Sequence, residues 1–198
     1  MINLLKPYLL SFIPIFVAVD ALGNIPLFAS LVQGATKKQK HKIIIESVTT
    51  ATAMAVLFMF GGKWVLNLIG ITIPDFQIAG GALLFVIALK LLLPGSSKSV
   101  LSDGHDKDIG VFPLCTPLIT GPAVLTTTLI MLDTYGVVAT FISLVINMFI
   151  VWLALSKSDI IMSLMGTSGT RAFAKVMYIL LAAIGVMMIR KGLFNLLV

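Results

Sequence analysis

Long uninterrupted apolar segments restrict the fold of this chain more than any other feature. Several of them reach the ~20 residues that a helix needs to cross the hydrocarbon core of a bilayer. Hydrophobic residues make up 59% of the 198 positions and charged residues 11%, so a soluble core of this size could not bury the apolar surface. Strands of a membrane β-barrel would be ~10 residues long and alternate in polarity, whereas these segments are continuously apolar. The sequence therefore predicts an all-α membrane protein whose main partner is the lipid bilayer.

Polar segments divide the chain into six predicted transmembrane helices. The spans cover about residues 8–32, 43–66, 76–93, 112–132, 137–155 and 173–193. The first span is too long for a signal peptide and lacks a clear cleavage site, so we expect it to be retained. We expect a single transmembrane domain over residues 1–198. Its polar connections include a basic turn (34–42), a cytoplasmic loop (94–111), a tight turn (133–136) and a loop that can hold an interfacial turn (156–171).

Lysine and arginine are distributed unevenly between the two sides of the predicted membrane layout. If the N-terminus lies outside, ten of the fourteen basic residues fall on the inner side and four on the outer side. Because cytoplasmic segments are enriched in Lys and Arg, we expect both termini outside. Arg190 and Lys191, near the outer C-terminus, run against this trend. The net charge of +6 then reflects cytoplasmic segments, and no nucleic-acid partner is expected.

Two of the predicted spans contain related helix-breaking motifs. DALGNIP (20–26) in the first span aligns with TPLITGP (116–122) in the fourth, and Pro26 stands opposite Pro122. Asp20 lies 12 residues into its span, or ~18 Å deep in a core ~30 Å thick. The third and sixth spans follow at comparable distances. We therefore predict two inverted three-helix repeats, with the first and fourth helices broken near the membrane midplane, over about 1–93 and 112–198.

The two breaks supply groups that suit a small zwitterion. Prolines and glycines unwind about one turn in each span, which leaves a half-helix N-terminus inside the membrane. Such a terminus attracts a carboxylate, and Asn24 and Thr120 are predicted to cap the two starts. Asp20, with unwound carbonyl groups, would face a cation or an ammonium group. The predicted substrate and ion site is Asp20, Gly23, Asn24, Pro26, Thr116, Pro117, Thr120, Gly121 and Pro122.

Other polar residues in the spans have structural as well as functional explanations. An acid inside the membrane is costly, so a functional role is the default expectation for Asp20. A structural hydrogen bond to a neighbouring helix is the alternative. Asn147 in the fifth span predicts a hydrogen bond across helices. The single cysteine, Cys115, excludes an intramolecular disulfide and a multi-cysteine metal site. The sequence has no zinc-protease motif, nucleophile elbow or P-loop, so we expect neither an enzyme nor an ATP-driven pump.

The two proline motifs resemble those of the MarC family of six-span membrane proteins, and the resemblance covers nearly the whole chain. The family pattern N/D-P-x-G-N-x-P-x-F matches DALGNIPLF, except that Ala21 replaces the usual proline. The pattern P-L-x-x-P-L-x-x-G-P matches PLCTPLITGP at 113–122. The resemblance implies a protein of the inner membrane that transports small neutral amino acids. The layout is similar to that of amino-acid exporters of the LysE type.

The leading hypothesis from the sequence is a secondary transporter of a small neutral amino acid or similar solute. Coupling to H⁺ or Na⁺ is expected, and no other cofactor. The half-helix N-termini would bind the substrate carboxylate, while Asp20 would bind the coupling cation or the ammonium group. A passive channel would instead conduct without ion coupling or saturation, and a membrane scaffold would bind no ligand. Both alternatives stay open, as does self-association into a homo-oligomer.

Overall fold

The computed structural model describes residues 2–32, 34–93 and 119–197, and the secondary structure within these ranges is entirely helical. Five helical segments in the described ranges are long and apolar enough to cross a membrane. The predicted all-α class is therefore confirmed for this part of the chain. The helices are α1 (Ile2–Val19), α2 (Asn24–Leu31), α3 (Lys37–Ile69), α4 (Ile73–Leu92), α5 (Pro122–Ser156) and α6 (Ser158–Leu197).

Local capping sequences define both ends of the α3–α4 connection and the start of α3. Thr36 and Gln39 form a reciprocal capping box that starts α3 inside the predicted basic turn, earlier than expected. Gly70 ends α3 in the left-handed region at φ 78°, where a residue without a Cβ is favoured. Thr72 and Asp75 form a second capping box that starts α4. These caps satisfy backbone groups that the helix ends would otherwise leave unpaired.

Helix α5 consists of two segments that run in opposite directions and meet at Gly136. Gly136 has φ 80° and ψ 173°, and it lies in the predicted tight turn. Asp133, before the turn, pairs with Lys63 of α3, whereas Asp159, beyond the second segment, pairs with Lys40. The two lysines are 23 residues apart in one helix, or ~35 Å. The chain must therefore reverse at Gly136 to reach both ends of α3.

The prediction of a loop at 156–171 is wrong, because α6 is helical from Ser158 onwards. Only Lys157 separates α5 from α6. The segment was expected to form a loop because it is rich in Ser, Thr and Gly. It contains no proline, however, and an isolated glycine in a helix costs only about 1 kcal/mol relative to alanine. The lower helix propensity was therefore insufficient to interrupt the backbone hydrogen bonds.

Polar side chains connect α1 to the second segment of α5. Ser11 Oγ lies 2.7 Å from Ser143 Oγ, and both residues are buried. The Asn147 side-chain amide donates to the carbonyls of Phe12 at 3.3 Å and Ser143 at 2.8 Å. The predicted cross-helix partner of Asn147 is thus confirmed. Because apolar side chains gain little by leaving lipid for a helix interface, such hydrogen bonds and close packing hold membrane helices together.

Glycines form the contact between α4 and α6. A Cβ at Gly81 would lie 2.6 Å from the Gly185 carbonyl oxygen, and a Cβ at Gly185 would lie 2.6 Å from that of Gly81. Further along, a Cβ at Gly192 would lie 2.8 Å from the Pro74 carbonyl oxygen. The pairing order shows that the two helices are antiparallel. Their backbones approach so closely that a methyl group does not fit at these positions.

Candidate functional site

The predicted break in the first span is present and lies between α1 and α2. Helix α1 ends at Val19, and residues 20–23 form a turn before α2 begins at Asn24. Asp20 has φ 46°, in the left-handed region that non-glycine residues rarely adopt. Aspartate and asparagine tolerate this region better than other side chains, because their short polar groups can bond to the nearby backbone. The break is therefore centred on the carboxylate itself.

The Asp20 side chain caps the second half of the broken helix. Its Oδ1 accepts a hydrogen bond from the Gly23 backbone N–H at 3.1 Å, and its carbonyl accepts one from the Asn24 N–H at 3.1 Å. Gly23, directly before α2, already has helical φ and ψ (−65° and −28°), so the turn runs into the helix. The two Asp20 bonds are therefore those that an N-cap aspartate makes, and the carboxylate lies at the positive end of α2. A Cβ at Gly23 would overlap the Asp20 carboxylate. Gly23 is therefore needed for space, since its own φ of −65° suits any residue.

Asn24 does not cap α2 as the sequence predicted. It is buried, with 3% of its surface exposed, and its side-chain amide donates to the Val19 carbonyl at 3.0 Å. It thus satisfies a carbonyl at the C-terminal end of α1. The expected roles are therefore exchanged. The Asp20 carboxylate caps the start of α2, and the Asn24 side chain bonds to a carbonyl at the end of α1. The Val19 carbonyl, once paired with Asn24, is less available to a cation than the sequence suggested.

The second break lies immediately before α5. Gly121 is extended, with φ −82° and ψ 177°, and Pro122 occupies the first turn of the helix, where its missing N–H is not needed. Thr120 is fully buried, and its hydroxyl donates to the Ala51 carbonyl of α3 at 2.9 Å. Its predicted capping role is therefore wrong, and no side chain of the described residues caps α5. Thr116 and Pro117 lie outside the described residues.

A small cavity joins the two breaks. It has a volume of about 30 Å³, which corresponds to roughly one water molecule. Asp20, Gly23 and Asn24 line it from the first break, and Gly121 lines it from the second. The sequence predicted that the two motifs would form one site, and these four predicted residues do meet. The remaining lining residues are Ala18, Val19, Leu27, Leu84, Ala123, Met177, Leu181 and Ile184.

Three other predicted site residues lie beside the cavity without lining it. Thr120 is bonded to α3, as described above. Pro122 packs on Gly80 of α4, where a Cβ would overlap the proline ring. Pro26 is buried within the first turn of α2. These residues shape the breaks and support the cavity wall.

Sequence reasoning missed the walls contributed by the third and sixth spans. Leu84 of α4 and Met177, Leu181 and Ile184 of α6 close the cavity opposite the breaks. Each is an apolar residue in a continuously apolar helix, so no pattern distinguishes it from its lipid-facing neighbours. The similar spacing of the third and sixth spans after the two motifs was the one sequence feature that indicated a part for these helices in the site.

The polar groups at the cavity are few and complementary. Asp20 uses Oδ1 for the cap, and within the described ranges Oδ2 accepts no hydrogen bond. The start of α5, which no described side chain caps, presents backbone N–H groups and a positive dipole end. No group of three His, Cys, Asp or Glu side chains in the described residues could hold a metal ion. A cation here would therefore depend on Asp20 and backbone carbonyls.

Comparison with known proteins places the chain among membrane proteins. A family model described as MarC family integral membrane protein matches residues 5–197. A UPF0056 membrane protein of Methanocaldococcus jannaschii is 34% identical, with 98% of this chain and 90% of that protein covered. A UPF0056 membrane protein of Pyrococcus abyssi is 27% identical, with 98% and 97% covered. The UPF0056 inner membrane protein YhgN of Escherichia coli is 26% identical, with 88% and 90% covered. No solved structure matches the chain significantly.

Proposed function

The chain belongs to the MarC family of integral membrane proteins, and from this premise we propose that it is a secondary transporter of a small solute. The proposed substrate is a small neutral amino acid, and the proposed coupling ion is H⁺ or Na⁺. The observation that carries the proposal is the cavity shared by the two helix breaks, with Asp20 on one side and Gly121 on the other. Broken helices that meet in this way form the substrate sites of many secondary transporters.

The contacts between helices support an inverted repeat. In the first half the broken span is α1 with α2, the second span is α3 and the third is α4. In the second half, the two segments of α5 and then α6 take these places. Helix α1 packs on the second segment of α5, and α3 packs on the first segment. Helix α2 packs on α6, and α5 packs on α4 through Pro122. Exchanging the two halves leaves this set of contacts unchanged, as a twofold axis requires.

The glycine contact between α4 and α6 fits the same axis. Gly81 and Gly185 meet reciprocally, each close to the carbonyl oxygen of the other. Two helices related by a twofold axis make this kind of self-complementary contact where they cross the axis. The two helices are antiparallel, as expected if the axis lies in the membrane plane. The third spans of both halves would therefore meet at the centre of the protein.

Two ion pairs support the proposed sidedness of the helices. Lys63 and Asp133 lie 2.5 Å apart at one end of α3, and Lys40 and Asp159 lie 2.7 Å apart at the other. The first pair belongs to the predicted outer side and the second to the predicted inner side. We propose both termini outside, in the inner membrane or its archaeal equivalent, where the name of YhgN places that relative.

The proposed transport step uses the two polar ends of the cavity differently. The start of α5 would receive the substrate carboxylate, because its N–H groups carry no side-chain cap from the described residues and its dipole end is positive. Asp20 Oδ2 would receive the coupling cation or the ammonium group. A cavity of about 30 Å³ is too small for an amino acid, so this conformation would be closed. Substrate entry then requires α4 or α6 to move away from the breaks.

Counterflow in proteoliposomes tests the proposal directly. We expect purified protein to exchange labelled glycine or alanine against unlabelled substrate, with saturation and with dependence on a H⁺ or Na⁺ gradient. Asp20→Asn keeps an oxygen that can accept from Gly23, so we expect this variant to fold and bind but to lose ion coupling. Flux without saturation or coupling would indicate a channel, and absence of any exchange or ligand binding would contradict transport. Full coupled activity in Asp20→Asn would refute the ionic role of Asp20 but not the transport function.

A further inference from the structure

A second cavity lies at the opposite end of α2 from the helix breaks. It has a volume of about 290 Å³ and is formed where α2, the start of α3 and the α5–α6 junction meet. This is the end of the bundle where the lysines of the basic turn gather. Its polar lining residues are Lys37, Lys40, His41, Ser156, Ser158 and Asp159. The cavity has room for a polyatomic ion together with several water molecules, each of which occupies about 30 Å³.

The charge of this cavity favours an anion. Lys37, Lys40 and His41 all lie in the first turns of α3, whose N-terminal end is itself positive. The first turn contains no acidic residue, so the lysines add to the helix dipole and do not offset it. Asp159 is the acid among the lining residues, and it pairs with Lys40 at 2.7 Å. Lys37 makes no ion pair with any described residue and remains available to a ligand.

Charged groups near the cavity do not reverse this balance. Lys42 pairs with Glu46 at 3.6 Å along the exposed side of α3. Lys38 and Lys157 add positive charge without lining the cavity. The C-terminal end of α5 lies next to the N-terminal end of α6, so the partial charges of these two ends offset each other. The positive potential therefore comes from α3 and its side chains.

The Ser158 hydroxyl is an independent sign of a ligand. Ser158 is 97% buried, since only 3% of its surface is exposed, and it lines the cavity. Among the described residues its hydroxyl has no hydrogen-bond partner. The residue is buried as a whole, and its hydroxyl faces the cavity that it lines. A ligand that accepts hydrogen bonds in this cavity would find the Ser158 hydroxyl available as a donor.

We propose that this cavity binds a phosphate group, through Lys37, His41 and Ser158. An ammonium group, an imidazole N–H and a hydroxyl all donate hydrogen bonds, and a phosphate accepts several at once. The phosphate belongs either to the headgroup of an anionic lipid or to a soluble phosphate compound. Basic pockets between helices at the cytoplasmic surface are suited to lipid headgroups. The site is separate from the cavity at the helix breaks, so the proposal does not depend on transport.

Thermal unfolding of the full chain in a phosphate-free maltoside detergent tests this site with two probes. The first probe is inorganic phosphate, compared with chloride at equal ionic strength. The second is phosphatidylglycerol, compared with a galactolipid that carries no phosphate. A ligand that binds only the folded protein stabilises it by RT ln(1 + [L]/Kd), so the unfolding temperature keeps rising with the ligand concentration. We expect at least one phosphate-bearing probe to stabilise the wild type, and the responding probe identifies the source of the phosphate.

Three variants make the test specific. Lys37→Gln should weaken binding about tenfold or more, since it removes a charge-assisted hydrogen bond. Ser158→Ala should weaken binding about three- to tenfold without lowering the stability of the ligand-free protein. Lys38→Gln is the matched control, because Lys38 adjoins Lys37 but does not line the cavity. Equal loss in Lys38→Gln and Lys37→Gln would show nonspecific attraction and overturn the proposal. So would the absence of stabilisation by both probes, or unchanged binding in Ser158→Ala and Lys37→Gln.

Discussion

Substitutions at Asp20 should separate its structural role from its charge. Asp20→Ala removes the hydrogen bond to the Gly23 N–H and places a Cβ-bearing residue at φ 46° without a polar group to stabilise it. Loss of an N-cap costs about 1 kcal/mol, and the left-handed region costs alanine about 1–2 kcal/mol. We therefore expect Asp20→Ala to lower the free energy of unfolding by about 2–3 kcal/mol. Asp20→Asn retains both the acceptor oxygen and the tolerance of positive φ, so its stability should stay within about 0.5 kcal/mol of the wild type.

Asp20→Gly completes the series. Glycine adopts φ 46° without strain but lacks the capping oxygen, and its unfolded state is more flexible, so the loss should be about 1 kcal/mol. The expected order of stability is wild type and Asn, then Gly, then Ala. Thermal unfolding in detergent, followed by the fluorescence of Trp64 and Trp152, measures this order. For a chain of 198 residues, Asp20→Ala should unfold about 5–10 °C below the wild type.

The stabilities of the Asp20 variants can contradict the capping role of this side chain in two ways. If Asp20→Asn lost as much stability as Asp20→Ala, the negative charge and not the hydrogen-bond geometry would hold the break together. If Asp20→Ala were as stable as the wild type, the cap would contribute nothing. The expected combination is a stable Asp20→Asn protein that has lost ion coupling. That combination would assign the carboxylate to ion handling and its oxygen geometry to the fold.

Further predictions concern the glycines and the ion pair at the α3 end. Gly81→Ala should destabilise the protein by about 1–3 kcal/mol, because its Cβ would lie 2.6 Å from the Gly185 carbonyl oxygen. Gly61→Ala is its control, because a Cβ at Gly61 meets no atom within 4 Å. This variant should gain about 0.5–1 kcal/mol of stability in the same unfolding assay. A loss as large as that of Gly81→Ala would contradict the packing argument. Gly23→Ala should displace the Asp20 carboxylate and abolish coupled counterflow, and wild-type coupling would show that the overlap is relieved without functional cost. Lys63→Gln should change the unfolding free energy by less than about 1 kcal/mol, since both partners of the pair with Asp133 are about half exposed, and a larger loss would indicate a desolvated ion pair.

Local sequence was sufficient to predict the helices and the position of the first break. A segment in lipid must satisfy its backbone hydrogen bonds internally, so a long apolar run can only be a helix. Gly23 and Pro26 interrupt that bonding wherever the rest of the chain lies, and the break was found beside them. Gly136 likewise marked a turn. The same local reasoning failed at 156–171, where low helix propensity did not prevent α6 from beginning at Ser158.

Contacts between distant residues decided which group performs each role at the breaks. Asn24 and Thr120 both have side chains suited to capping, and sequence alone could not show that each would donate to a carbonyl instead. Thr120 bonds to Ala51, 69 residues away, because α3 passes beside the second break. Asp20 became the cap because the turn brings its carboxylate over Gly23.

The sequence by itself determined an all-α chain with apolar spans and a break centred on Asp20 to Pro26, since these follow from hydrogen bonding and sterics within a few residues. The tertiary structure alone decided that the first break and Gly121 share a cavity, and that Leu84 and Met177 close it. It also placed Ser158 beside Lys37, on helices that are far apart in the chain. In a chain made of apolar helices, lipid-facing and cavity-facing residues are chemically alike, and only packing distinguishes them.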